Sequence, residues 1–368
     1  MRGREKSQRM LFSAATIETL VDNKLPADHP LRRIKAQADA VLQSLSAEFD
    51  LLYAKSGRPS IPPERLLRAL LWMALFSVRS ERLLEDTLRF DLRCRWFVGL
   101  SLDEDAFDHS TFSKARETVL CESIAELFFE RHLEFLRAEG LLSSEHLSVD
   151  GSLLNAWASH KSMVKREDFD KDGRPPPPPG GDRNGWVDFK GQGRSNETHV
   201  SATDPEARLA SKGVGARLSH ELHVLAENRN NFAIGVTVTA PTGTSEREAA
   251  LHLVVHEISE GRKPETLGAD RKYSDGDKLV EALMNLSVAA HFAVRDDRPK
   301  ALARIYENEI GYRISLKKRM RIEEIFGYIK SICGMAAIKV RGAFRVYGKA
   351  LLALATYNLV RRSGLAAT

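Results

Sequence analysis

Near residue 140 the chain changes the spacing of its apolar residues, and that change limits it to two kinds of structure joined in series. Before Gly140 the apolar residues recur at helical spacing, punctuated by Pro26, Pro30, Pro59, Pro62 and Pro63. Proline is tolerated at the start of a helix and breaks its interior, so each one marks the edge of a short helix. Pro62-Pro63-Glu64 opens one such helix, with Leu66, Leu67, Leu70, Leu71, Met73 and Ala74 as apolar residues. Ser80-Glu81 opens another, with Leu83, Leu84 and Leu88 on its apolar side. Asp108-His109-Ser110-Thr111 offers a cap for a third, Phe112 to Leu120.

Beyond residue 140 strand composition appears, at His146 to Leu154, Leu222 to Ala226, Phe232 to Thr239 and His291 to Val294. Glu221 to Thr239 reads as two strands joined by a turn over Glu227-Asn228-Arg229-Asn230-Asn231. Ser245 to Glu260 is rich in Ala, Leu and Glu and reads as a helix. Leu267-Gly268-Ala269-Asp270 ends a short strand, and Asp275 to Asn285 is helical again. The expected organisation is a helical domain over 1–140 and a mixed α/β domain over 141–365. Between the first two strands lies an insertion, about 159–217, that holds five consecutive prolines, Pro175 to Pro179, among glycines. Such a run cannot pack as helix or sheet and is expected to be exposed and extended. An exposed loop without function accounts for it equally well.

Three scattered cysteines, Cys94, Cys121 and Cys333, give neither a disulfide framework nor a zinc-ligand spacing. Residues Met1 to Met10 lack the apolar run of a secretory signal. The longest apolar stretches, Leu66 to Val78 and Ala350 to Val360, are too short to span a bilayer, and Arg68 interrupts the first. The expected setting is the cytoplasm. A net charge of +5 favours a polyanionic partner without requiring one. Its distribution says more. From Gly311 to Lys349 there are ten Lys or Arg and two acids, a local excess of eight against five for the whole chain.

Three carboxylates stand out. Asp150 lies inside the apolar strand Leu147-Ser148-Val149-Asp150-Gly151-Ser152, where an acid is unfavourable unless paired or bound to a metal. Asp270 falls at the C-terminal end of a strand, where ligands gather in open α/β sheets. Taken singly, each is more often a structural or capping acid than a catalytic one. The third is a choice between Glu323 and Glu324. Read as one helix turning about 100° per residue, the segment places Arg319, Glu323, Phe326 and Lys330 on one face. Ile322, Ile325 and Ile329 form the adjoining apolar stripe, and Glu324 and Tyr328 point away. That reading selects Glu323, although an ordinary Arg–Glu helix pair uses the same spacing. Two acids inside a basic strip make sense if the strip holds phosphates and an acid holds a cation. A solvated basic face is the alternative.

Together these residues resemble the DDE-type insertion-sequence transposases, and the insertion-sequence-five group in particular, over about Pro62 to Val360. Arg95-Trp96-Phe97-Val98-Gly99-Leu100, followed by Asp108 to Lys114, looks like that group's helical domain. Val149-Asp150-Gly151-Ser152 resembles its first-aspartate strand and Leu267-Gly268-Ala269-Asp270 its second. Arg319 to Lys330 resembles its glutamate helix, with an arginine four before the glutamate and a lysine seven after it. Arg194 to His199, Thr203 to Arg208 and Gly243 to Ala249 resemble connecting motifs. The signature's tyrosine, seven before the glutamate, is replaced by Leu316, and no role passes to a tyrosine here.

The resemblance implies an RNase H-like mixed sheet with flanking helices, preceded by an all-helical domain for DNA binding or dimerisation. It implies Asp150, Asp270 and Glu323 as catalytic metal ligands, for two Mg²⁺ or Mn²⁺ ions. Asp150 is expected to bridge the ions. Water would nick the element's end, and the freed 3′-hydroxyl would attack target DNA. Arg319 and Lys330 are expected to hold phosphates, with Lys317, Lys318 and Arg321 as weaker candidates. Lys114 and Arg116 are expected on a helix that reads the terminal inverted repeats of double-stranded DNA. A homodimer is expected because two ends must be held together, working on the bacterial nucleoid. The alternative function is a transposase-derived DNA-binding protein that has lost catalysis. All three acids with their basic flanks weigh against it.

Overall fold

Side-chain caps and prolines set the helices of the N-terminal half in the computed structural model, which describes residues 16–52, 60–121, 123–170, 194–211 and 215–366. Thr16 accepts from the Thr19 N–H at the start of α1 (Ile17–Lys24), and Pro30 opens α2 (Pro30–Ser44). After α3 (Ser46–Leu52), Pro63 opens α4 (Pro63–Leu75), as the paired prolines predict. Ser80 caps α5 (Glu81–Phe90) through the Leu83 N–H, and Asp91 caps α6 (Leu92–Val98). Gly99, at φ 90°, closes α6 in the left-handed conformation that glycine adopts without strain. Asp108 accepts from the N–H groups of Ser110 and Thr111 at the start of α7 (His109–Cys121), and α8 is Ile124–Ala138. Leu83, expected on the apolar side of α5, is 48% exposed. Only Leu84 and Leu88 are buried there, because one residue's rotation carries Leu83 off the stripe.

This helical unit comprises residues 1–141 together with 327–334 and 348–368. Its core includes Leu42, Phe49, Leu66, Trp72, Phe97, Phe112 and Phe128. Several of its cations face inward. Arg65 makes a two-pronged pair with Glu104, at 2.9 and 3.1 Å, and Arg68 donates to Asp39 at 2.6 Å. Arg95 is buried against the carbonyls of Leu88, Ser101 and Glu104. Arg68 interrupts the apolar run in sequence, yet it is buried and paired with the half-buried Asp39.

The second unit comprises residues 142–326 and 335–347. Its centre is β1 (His146–Asn155), flanked on one side by antiparallel β5 (Arg217–Glu227) and on the other by parallel β7 (Thr266–Ala269). β6 (Ala233–Thr239) pairs antiparallel with β5, and β8 (Ala289–Phe292) parallel with β7. The insertion supplies β2 (Met163–Lys165) and β3 (His199–Ser201), which pair with each other, and β4 (Arg208–Ala210), which joins β5. Pro175–Pro179 lies outside the described residues. Three antiparallel strands, β6, β5 and β1, followed by β7 and β8 parallel to β1, form the RNase H-like order.

α9 (Ser245–Ser259) packs on β1, β5 and β6, while α10 (Lys278–Asn285) packs on β8. α11 (Tyr312–Arg319) lies on β1, β7 and β8. α12 (Ile322–Ser331) follows, and α13 (Ala343–Leu365) ends the chain's helices. Ile322, Ile325 and Ile329 are buried, as the expected apolar stripe requires. Among the described residues no helix is long and apolar enough to cross a membrane.

Candidate active site

Strand register brings the first two acids together. β1 and β7 run parallel and their last paired residues are Ser148 and Gly268. Asp150 and Asp270 each stand two residues further along adjacent strands, which lie about 4.8 Å apart in a sheet. Asp150 is 8% exposed in mid-strand, opposite Val224 of β5. Its Oδ1 accepts from the Gly151 N–H at 2.7 Å, and its Oδ2 lies 3.8 Å from Arg319 Nη1. Asp270 caps the turn after β7, its Oδ1 accepting from the Lys272 N–H at 2.9 Å.

Burial pushes the Asp150 carboxyl up to about 6; the negative charges of Asp270 and Glu323 add to the rise, and the Gly151 N–H and Arg319 oppose it. Asp270, 120 residues after Asp150, and Glu323, another 53 beyond, are thus both felt at Asp150. Their oxygens do not all fall within 4.8 Å of one another. Among the described residues, ligand-type atoms of Glu85, Asp108 and His109 in the helical unit do lie within 4.8 Å of one another. Those side chains are already committed. His109 Nδ1 bonds Glu85 at 2.9 Å, and Asp108 caps α7. The His109 hydrogen bonds hold the Glu85 carboxyl below its usual range.

The glutamate segment departs from expectation. It is not one helix from Arg319 to Lys330: α11 ends at Arg319, and α12 begins at Ile322. Between them the bonding tightens, with Arg321 N–H to the Lys318 carbonyl at 3.0 Å and Glu324 N–H to the Arg321 carbonyl at 3.0 Å. Asn231, from the β5–β6 turn, lies against this break. It stands at φ 64° and its Nδ2 donates to the Arg321 carbonyl at 2.9 Å. The same Nδ2 reaches Glu324 Oε2 at 3.3 Å. Glu324 is therefore engaged by the turn, whereas the charge of Glu323 is felt at Asp150. Glu323 is exposed in the first turn of α12.

The basic candidates divide. Arg319 is half-buried and paired with Asp150, while Lys317 is exposed and Lys318 partly so. Arg321 reaches the Arg229 carbonyl at 3.5 Å, and Lys330 is half-buried in the last turn of α12. On α7, Lys114 is exposed, but Arg116 is held by Glu81 and by Glu117, the latter at 3.0 Å.

Some neighbours of the acids carried no signal in the sequence. Glu246, second in α9, lies against the backbone at Gly151 and 3.5 Å from Lys272 Nζ. Tyr273 is fully buried, and its hydroxyl has no hydrogen-bond partner among the described residues. Burial, then the charges of Asp150, Glu246, Asp270 and Glu221, raise its phenol well above the ordinary range. Tyr273 sits in the short 3-10 turn after β7 and Glu246 in α9, so neither contact follows from the spacing of apolar residues.

A mixed sheet of this order, with helices packed on it, is RNase H-like. Residues 19–118 match the family described as "Transposase domain (DUF772)", and residues 198–359 match "Transposase DDE domain". The chain belongs to the DDE-type insertion-sequence transposases, DNA transposases that use divalent metal. Asp270 and Glu323 lie inside the second match, and Asp150 lies between the two. No curated protein sequence matches the chain. A piggyBac transposase synaptic complex with hairpin DNA aligns at 11% identity and TM-score 0.40, over 92% of this chain and 76% of that one. A Mos1 transposase paired-end complex with the left transposon end aligns at 11% identity and TM-score 0.21, over 88% and 85%. Neither likeness is close enough to carry an argument.

Proposed function

We propose that this transposase cuts the ends of its insertion sequence and joins them to target DNA through Asp150, Asp270 and Glu323. These three would hold two Mg²⁺ or Mn²⁺ ions. The observation that supports this best is the Asp150 carboxyl, buried in a strand and raised further by the charges of the other two acids. An arrangement of repelling oxygens with one guanidinium at 3.8 Å is suited to a hard divalent cation. When bound, such ions lower the pKa of an attacking water or 3′-hydroxyl and stabilise the leaving oxygen.

The chain's own residues do the rest. Arg319, 3.8 Å from Asp150, would contact a phosphate near the scissile bond. Lys317, Lys318, Arg321 and Lys330 add phosphate contacts that fix register on DNA. The domain over residues 1–140 reads the terminal inverted repeats, with Lys114 as an exposed contact; Arg116 would first have to leave Glu81 and Glu117. A homodimer holds the paired ends, in the bacterial cytoplasm at the nucleoid. Membership of the insertion-sequence-five group rests on the quoted motifs.

Mn²⁺ titration followed by electron paramagnetic resonance tests the ligand set. Wild-type protein binds, and Asp150→Asn, Asp270→Asn and Glu323→Gln each weaken binding by about tenfold or more. Unchanged affinity in any of the three removes that residue from the set.

A further inference from the structure

We infer that Glu246 is a positioning residue for the two aspartates, tying the strand that carries Asp150 to the turn that carries Asp270. The inference rests on the reading that those aspartates bind the metal. Two independent contacts support it. First, a Cβ built on Gly151 would stand 3.2 Å from Glu246 Cγ, 3.3 Å from Glu246 Oε1 and 3.1 Å from His223 Nδ1. Glycine after Asp150 is therefore what allows Glu246 to lie on the β1 backbone one residue from the acid. Second, Glu246 Oε1 is 3.5 Å from Lys272 Nζ, and the Lys272 N–H donates to Asp270 Oδ1. The path Gly151–Glu246–Lys272–Asp270 joins the middle of β1 to the turn after the adjacent β7.

Glu246 acts through these neighbours and not as a ligand. Consecutive residues on a strand point to opposite faces, so the Gly151 side that meets Glu246 is opposite the Asp150 carboxylate. The carboxylate is also held in place: its side chain is 17% exposed, and the preceding Ser245 donates to Glu221 Oε2 at 2.6 Å. An acid in the first turn of a helix is common and is favoured there by the helix dipole. That preference explains neither the close approach to Gly151 nor the pairing with Lys272. Groups that orient metal ligands are typically worth about 10–100-fold in metal affinity.

The test is Mn²⁺ affinity of the full chain by electron paramagnetic resonance, with melting temperature in EDTA measured in parallel. Glu246→Gln keeps the size and drops the charge; it should melt within about 2 °C of wild type and bind Mn²⁺ about tenfold more weakly. Lys272→Met separates positioning from simple charge. Loss of a nearby cation should tighten Mn²⁺ binding if charge alone matters, and weaken it if Lys272 transmits the position of Glu246. The double variant should be no weaker than the weaker single one. Glu246→Asp, which keeps the charge with a shorter reach, should fall between Gln and wild type. Tighter binding in Lys272→Met overturns the inference, as does wild-type affinity in Glu246→Gln, provided Asp150→Asn has lost binding. If Asp150→Asn also binds normally, the ligand reading itself fails and takes the inference with it.

Discussion

Replacing Asp150 by Asn should make the metal-free protein more stable at neutral pH, although it removes a proposed catalytic group. The carboxyl is raised from 3.8 to about 6 in the folded chain, chiefly by burial. The folded state therefore holds its proton more tightly than the unfolded state. Stability from this group is intact below pH 4, declines as pH climbs to about 6, and stays low above it. A rise of about two units corresponds to about 3 kcal/mol at 1.36 kcal/mol per unit. Asparagine avoids that cost, and the opposing contact with Arg319 at 3.8 Å is already contained in the net rise. The net expectation is therefore about 3 kcal/mol, or roughly 4 °C in melting temperature for a chain of 368 residues. Denaturation in EDTA at pH 7.5 and at pH 4 measures it. The variant should melt higher than wild type at pH 7.5, and the gap should close toward pH 4. Mn²⁺ should raise the wild-type melting temperature and leave the variant's unchanged. A variant no more stable than wild type at pH 7.5 refutes the argument that Asp150 is held charged against burial and two other acids.

Other expectations follow from the same geometry. Glu323→Gln should lower end cleavage by about 100-fold or more, the loss of several kcal/mol of metal-borne stabilisation. Glu324→Gln should keep cleavage within about threefold and cost about 1 kcal/mol at most through its bond to Asn231. Equal losses in both variants, in a kinetic cleavage assay, would undo the choice between them. His220 and Asp204 are both fully buried and bonded at 2.9 Å, so His220→Ala should destabilise the chain by about 3–5 kcal/mol in urea denaturation. A loss below 1 kcal/mol would show the pair to be dispensable. Lys317→Ala should lower the dependence of log affinity on log salt by about one unit without changing sequence preference, as expected of a phosphate contact. An unchanged slope in a salt titration would remove it from the interface.

Much of the architecture was legible because hydrophobic spacing and caps agree with it. The first strand, the helix from Ser245 and the starts at Pro63 and Ser80 follow from local rules. Asp150 was legible because an acid in an apolar strand demands a reason. Other features depend on distant residues. The break between Arg319 and Ile322 has neither Gly nor Pro at it; Asn231, from another hairpin, takes the carbonyl at that point. β5 extends five residues earlier than its apolar run because Ser219, His220 and Glu221 are buried polar residues satisfied by strand pairing and side-chain partners. β2, β3 and β4 are each three residues long, too short for any period. The inward cations Arg65, Arg68 and Arg95 read as surface charge until their partners are seen. Glu246 is an ordinary helix-start acid in the sequence and becomes informative only against Gly151.

The central claim is that Asp150, Asp270 and Glu323 together carry out strand cleavage. The most direct measurement is Mg²⁺-dependent nicking of duplex DNA bearing the element's own ends, by wild type and by Asp150→Asn, Asp270→Asn and Glu323→Gln. Wild type should nick at the element's terminus and stop in EDTA, and each variant should bind the DNA without cutting it. Wild-type cleavage by any one of the three variants would contradict the account.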